Sequence, residues 1–217
     1  MNVSDAVAAR RSIRSFLDTP VSDDVIRELL AKSARAPSGG NVQPWQIQVI
    51  NGARMQDFLS HLSAHQSRET PAYDIYPKDL PSPYRDSRFK VGEDMYGLLG
   101  IPREDKAARF AHLARNFEFF GAPAAFFCLI DENMGPPQWS DLGMFLQTFM
   151  LLAQEAGIDT CAQEAWATRP KAVTSFLQTP DNLMLFCGMA IGFKNPSAPV
   201  NTLVSDRMPL DSWATWA

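Results

Sequence analysis

Asp141-Leu142-Gly143-Met144-Phe145-Leu146-Gln147-Thr148-Phe149-Met150-Leu151-Leu152-Ala153-Gln154-Glu155-Ala156 is apolar nearly all the way round a helical wheel, and Gly157 follows at the position where helices commonly end on a left-handed residue. A helix of this kind is buried on every side, either in a core or across a contact between subunits. Working outward, the apolar run Ala124 to Ile130, bounded by Pro123 and Asp131, reads as a buried strand. Ile158 to Cys161 reads as a short strand and Leu183 to Ile191 as a longer one, with a helix near 169–177 between them. Towards the N-terminus, Ser22 caps a helix with Asp23 and Asp24 in its first turn. Its apolar face is Val25, Ile26, Leu29, Leu30 and Ala34, and Pro37 stops it. Ser4 and Asp5 cap a shorter helix through Ala9, and Trp45 to Ile50 alternates roughly as a strand does. Further helices are expected over 53–66, 88–99 and 103–118. Helices interleaved with few strands predict an α+β or α/β fold and exclude an all-α one.

The chain has 217 residues, 46% hydrophobic and 20% charged, with a formal net charge of −4. That length buries about 70% of the unfolded surface, so no disulfide or metal is needed to hold it together. The acidic balance gives no basic footprint for nucleic acid, and no apolar run is long enough to cross a membrane. Cys128, Cys161 and Cys187 lie far apart in apolar surroundings, which is the pattern of a reduced, cytoplasmic protein. With no repeat and no interdomain linker, the expectation is one domain over 1–217 with an extended tail from about 195.

Residues 68–90 hold Pro71, Pro77, Pro81 and Pro83 together with three tyrosines. This reads as a long ordered loop, over a functional surface or as a packing excursion.

Several chemistries lack their signature: there is no GxGxxG, no GxxxxGK[ST] and no GxSxG. His61 and His65 share a helix face without HExxH or a third ligand, so no metal site is expected. Two clusters stand out. Arg10-Arg11-Ser12-Ile13-Arg14 concentrates three guanidiniums and a hydroxyl, which suits an anion such as phosphate; basic decoration of a helix end is the plainer alternative. Ala36-Pro37-Ser38-Gly39-Gly40-Asn41-Val42-Gln43-Pro44-Trp45 pairs glycines, which let a backbone approach a flat ligand, with short polar side chains. A simple turn between helix and strand explains its proline and glycines, though not all three polar residues.

In this order, the two clusters resemble the FMN-dependent nitroreductase family. Asp141-Leu142-Gly143 opening the apolar helix, Gly157-Ile158-Asp159 ending it, and Gly188-Met189-Ala190-Ile191-Gly192-Phe193 closing the last strand extend the resemblance over almost the whole chain. The tail from Asn195, the loop Tyr76-Pro77 to Tyr84 and Tyr96-Gly97-Leu98-Leu99-Gly100 are similar to the aryl nitroreductase branch.

The resemblance implies an α+β nitroreductase-like fold, with a central mixed or antiparallel sheet surrounded by helices in an intertwined homodimer, and two FMN sites at the subunit interface. By the match, Arg10, Arg11, Ser12 and Arg14 hold the FMN phosphate, ribityl chain and pyrimidine edge, and Arg207 is a C-terminal phosphate arginine. Pro37, Ser38, Gly39 and Asn41 come from the other subunit. Gln163 and Glu164 fall where the family places backbone N–H groups near flavin N5, but Ala165 stands where many members have glycine. The implied activity is ping-pong transfer of hydride from NADH or NADPH to nitroaromatic or quinone-like acceptors, with Arg14 the candidate for stabilising the reduced cofactor's charge and no side-chain acid or base assigned. A non-catalytic FMN-binding protein, a cofactor-free interaction domain, and enone reduction or dehalogenation on the same fold are the alternatives. Phe117, Phe119 and Phe120 either wall a flat substrate or belong to the core.

Overall fold

The computed structural model describes residues 1–216; Ala217, the last residue of the expected tail, lies outside them. Four strands, β1 (Gln46–Asn51), β2 (Ala124–Asp131), β3 (Asp159–Gln163) and β4 (Leu183–Gly192), form one antiparallel sheet in the order β1-β2-β4-β3. Around it lie α1 (Val3–Ala9), α2 (Asp23–Ser33), α3 (Ala53–Ala64), α4 (Tyr84–Leu98), α5 (Lys106–Ala114), α6 (Pro136–Glu155) and α7 (Pro170–Leu177). The architecture is α+β.

The sheet is covered on both faces, and β2 shows why its sequence is a continuous apolar run. Ala125, Phe127 and Leu129 enter a cluster with Phe58, Phe119 and Trp166. Ala124, Phe126, Cys128 and Ile130 enter a second cluster with Leu29, Phe145 and Phe149. A strand buried on both faces has no solvent side to make polar. β1, at the edge, is only partly covered: Ile50 is buried, whereas Gln46, Gln48 and Val49 are exposed.

Several boundaries differ from expectation. α1 is capped by Asn2, whose side chain accepts from the Asp5 amide, rather than by Ser4 or Asp5. α2 ends at Ser33, before Pro37 is reached. α6 begins at Pro136, because proline suits the first helical turn. α4 begins at Tyr84, inside the stretch expected to be loop. α5 stops at Ala114, and Arg115–Gly121 tightens into a 3-10 turn in which Phe119 and Phe120 take left-handed φ of 48° and 55°. Within one chain α6 buries a single face: Leu142, Phe145 and Phe149 are in the core, whereas Met144 is exposed.

The loop before α4 is tied down where it begins. The Glu69 carboxylate accepts from the backbone amides of Lys171 (2.6 Å) and Ala172 (3.3 Å) at the start of α7 and pairs with Arg169 at 3.2 Å, where a helix N-terminus favours an anion. Ala72 donates to the Ala167 carbonyl, and Tyr73 Oη donates to the Phe186 carbonyl at 2.5 Å while its ring packs on Trp139.

Candidate active site

Ser12 to Phe16 runs as extended chain along the outer edge of β3. The Ile13 amide donates to the Thr160 carbonyl, and Phe16 bridges to Lys194. Ile13 is buried, so its neighbours Ser12 and Arg14 face the other way, and a bend at Ser15 turns Phe16 back into the core. The tail returns beside them and is fastened by Asn201. Its Oδ1 accepts from the Arg14 amide at 2.9 Å, and its Nδ2 donates to the carbonyls of Ser15 and Asn195 at 2.8 and 3.0 Å. The result is a cavity of about 170 Å³ whose walls include Arg10, Arg11, Ser12, Arg14, Ser205 and Arg207.

Among the described residues, none of these four arginines has a carboxylate within ion-pair distance. Arg11 donates to the carbonyls of Ala8 and Arg10, Arg14 to that of Ser12, and Arg207 to Ser205 and the Asp206 carbonyl. Arg10 Nε is buried without a partner. Desolvation, and then the neighbouring charges of Arg207 and Arg11, push the Arg10 guanidinium below its ordinary pKa. Four like charges around a small cavity, one of them partly dry, are an unfavourable arrangement until an anion enters. A phosphate with its forked oxygens fits this donor set.

The second cluster stands elsewhere. Gly39–Asn41 form one 3-10 turn, with φ of 56° at Gly40, 59° at Asn41 and 52° at Gln43. Ser38 Oγ accepts the Gln43 amide at 3.0 Å, and Gln43 Nε2 donates to the Asn41 carbonyl, so these two side chains shape their own loop. The Gly39 amide donates to the buried carboxylate of Asp141 in the second turn of α6. Pro37, Ser38, Gly39 and Asn41 do not line the arginine cavity; one chain does not bring the two clusters together.

Gln163 ends β3 and Glu164 follows it. Gln163 is buried, and its Nε2 donates to the backbone and side-chain oxygens of Asn116 at 2.8 and 3.2 Å; its Oε1 has no partner. Glu164 opens a 3-10 turn to Thr168, and desolvation pushes its carboxyl above the ordinary range. Ala165 lies in that turn without a positive φ, so the chain has no need of glycine there. The turn rests on Trp166, which is seated against Gly188 of β4: a Cβ on that glycine would lie 2.3 Å from the indole.

A family model for the nitroreductase family matches residues 7–193. The chain belongs to the nitroreductase family. It is 39% identical to a 4-nitrobenzoate reductase of Pseudomonas putida, over 94% of this chain and 88% of that one. It is 33% identical to a nitrobenzene nitroreductase of Ectopseudomonas oleovorans, over 99% and 96%. Its fold superimposes with a TM-score of 0.96 on the FMN and NADPH-dependent nitroreductase NfnB of Sphigopyxis sp. strain HMH, at 42% identity, covering 100% of this chain and 99% of that one.

Other features of this nitroreductase chain settle open alternatives. Phe119 and Phe120 are core residues and so packing rather than wall, whereas Phe117 is half-buried, edge-on against Trp166. Burial pushes the Cys161 thiol up to about 11, and a hydrogen bond with Cys128 together with burial holds Cys187 well above its ordinary value; neither is a nucleophile at neutral pH. His61 and His65 stack at 4.0 Å, with His61 bonded to the Ala172 carbonyl and Ser175. Among the described residues no group of three His, Cys, Asp or Glu is placed to hold a metal ion. Asn201, Asp141 and Glu69 had no assigned role in the sequence reading. Asp141 alone had a signal, as a carboxylate opening an otherwise apolar helix.

Proposed function

We propose that this chain is an FMN-dependent NAD(P)H oxidoreductase that reduces nitroaromatic or quinone-like acceptors. The observation that carries this reading is the cavity of four arginines without a carboxylate, in a chain whose curated relatives are described as reductases of nitroaromatic compounds. Arg10, Arg11, Ser12, Arg14 and Arg207 would hold the phosphate, ribityl chain and pyrimidine edge of FMN. When bound, FMN supplies two-electron chemistry that no side chain here offers.

The rest is the protein's work. The arginines would orient the group by its charged end; Gln163 and Glu164 do not line their cavity and would meet the group beyond it. Backbone N–H groups of that turn are held in place by Trp166 beneath it and by the Gln163 bond to Asn116. Arg14 places a fixed positive charge where negative charge develops during reduction. Donor and acceptor occupy the same place in turn, which gives ping-pong kinetics. NADPH is the favoured donor, because the NfnB relative at 42% identity is described as NADPH-dependent.

The reading includes a cytoplasmic homodimer, with residues 1–217 a single domain. Its support is the open face of α6 at Met144 and the position of the 37–41 loop outside the chain's own arginine cavity. Pro37, Ser38, Gly39 and Asn41 of a second copy would complete each site. The tail from 195 to 208 lies on its own chain, which leaves Trp213 and Trp216, both exposed, as the part that reaches a partner.

The test is the visible spectrum of the purified protein before and after anaerobic NADPH. Flavin absorbance that bleaches and returns on adding a nitroaromatic is expected. Flavin that stays oxidised would favour a binding protein, and a colourless protein after FMN addition would overturn the reading.

A further inference from the structure

Arg207 is brought to the arginine cavity by a tail segment whose neighbouring residue carries the opposite charge. Asp206 is directly adjacent, and an acidic group free to turn inward would compete with a phosphate for the same guanidiniums. The structure shows where that carboxylate goes. Asp206 Oδ2 lies 2.9 Å from Nζ of Lys90 on α4, and Lys90 also pairs with Asp94, one helical turn on, at 2.7 Å. A second, smaller cavity of about 120 Å³ sits on this outer side; Asp206 lines it with Lys90 and Asp94, and does not line the arginine cavity. Val91, Ser205 and Arg207 line both, so a single thickness of tail separates the acidic side from the basic one.

We propose that Lys90 is a positioning residue for the anion site: by holding Asp206 on the α4 side, it keeps the arginine cavity free of the chain's own carboxylate. This rests on the FMN reading given above. The ammonium between two carboxylates is raised above its ordinary pKa by those hydrogen bonds and stays charged at working pH. The contact is solvent-exposed, so its effect is a modest competition term that added salt weakens.

The experiment compares dissociation constants of FMN and of riboflavin, which has the same ring and ribityl chain but no phosphate, by flavin fluorescence with the full-length apoprotein at low salt. Lys90→Met keeps most of the side-chain stem and removes the charge; it is expected to weaken FMN binding about 2- to 5-fold, within what a lost exposed charge pair can produce, and to leave riboflavin unchanged. Lys90→Arg is expected to retain wild-type FMN affinity. Asp206→Asn is expected to bind FMN as well as the wild type or more tightly, and adding it to Lys90→Met is expected to restore what the single change lost. The proposal is overturned if Lys90→Met leaves FMN affinity unchanged, if it weakens FMN and riboflavin equally, or if Asp206→Asn weakens FMN as much as Lys90→Met does. The failure of the underlying reading looks different: the wild type itself would then show no preference for FMN over riboflavin.

Discussion

The backbone amide of Gly39 points its hydrogen at the carboxylate of Asp141, 3.2 and 3.3 Å from its two oxygens, across 102 residues of sequence. Asp141 is 4% exposed and stands in the second turn of α6. It is the side-chain anchor of a loop that otherwise bonds to itself, and so couples residues 37–43 to the helix whose other face is open.

Asp141→Ala removes a hydrogen bond to a charged acceptor, a loss of about 1.5–3 kcal/mol. The expected outcome is faster amide exchange across 37–43 and weaker binding of FMN and riboflavin alike, because a loop whose glycines let its backbone approach a flat ligand would meet the ring and not the phosphate. Hydrogen exchange by mass spectrometry and flavin titration check this. A loss confined to FMN would place the loop at the phosphate instead.

Replacing Arg10 and Arg14 together with Ala is expected to strip FMN and leave the fold intact. Two charge-assisted contacts account for about 3–6 kcal/mol, on the order of 10²–10⁴ in affinity. The ligand-free variant should melt no lower than the ligand-free wild type, since the change relieves repulsion among Arg10, Arg11 and Arg207. Thermal melts with and without FMN test both halves, and stoichiometric flavin in the purified variant would show that the anion site lies elsewhere.

Gly188→Ala drives a methyl group into Trp166, with Cδ1 at 2.3 Å and Nε1 at 2.7 Å, and into Phe119 at 3.2 Å. Rigid aromatics in a packed core cannot give that much, so a loss of about 3 kcal/mol or more is expected in denaturant unfolding. Gly97→Ala on the exposed side of α4, where a methyl group meets nothing within 4 Å, is the control and should not lower stability.

Desolvation raises the Glu164 carboxyl in the folded chain above its ordinary 4.5. The folded state therefore holds that proton more tightly than the unfolded one. The group's favourable contribution is complete below the unfolded value and is lost as pH rises through the folded value. Glu164→Gln does not titrate, so its melting temperature relative to wild type should climb as pH rises above the ordinary carboxyl value of 4.5. A difference that is flat with pH would mean the carboxyl is solvated in the folded protein.

Much of this molecule is readable along the chain, where the determining forces are local. Ser22 and two aspartates mark α2, Gly157 with φ of 73° ends α6, and the apolar run at 124–130 reads as a buried strand, which β2 is. Boundaries slipped where tertiary contacts overrode local preference. Tyr84 enters a helix four residues before the expected start, and Phe119 and Phe120 accept left-handed φ because burial in the core outweighs the strain. The long proline-rich loop was legible as ordered, but its anchors were not. Glu69 meets Arg169 across 100 residues, and Tyr73 meets Phe186 across 113.

The sequence by itself determined the α+β class, the concentration of arginines at 10–14 and the family to which the chain belongs, since each follows from residues that are neighbours in the chain or lie in a fixed order along it. The family resemblance already implied Arg207 beside those arginines and residues 37–41 in the other subunit; only the tertiary structure decided that Asn201 fastens the tail there and that Lys90 draws Asp206 to the far side. Those outcomes depend on which distant segments the packed sheet and helices bring within about 3 Å, the reach of a hydrogen bond, and spacing along the chain carries no record of that distance.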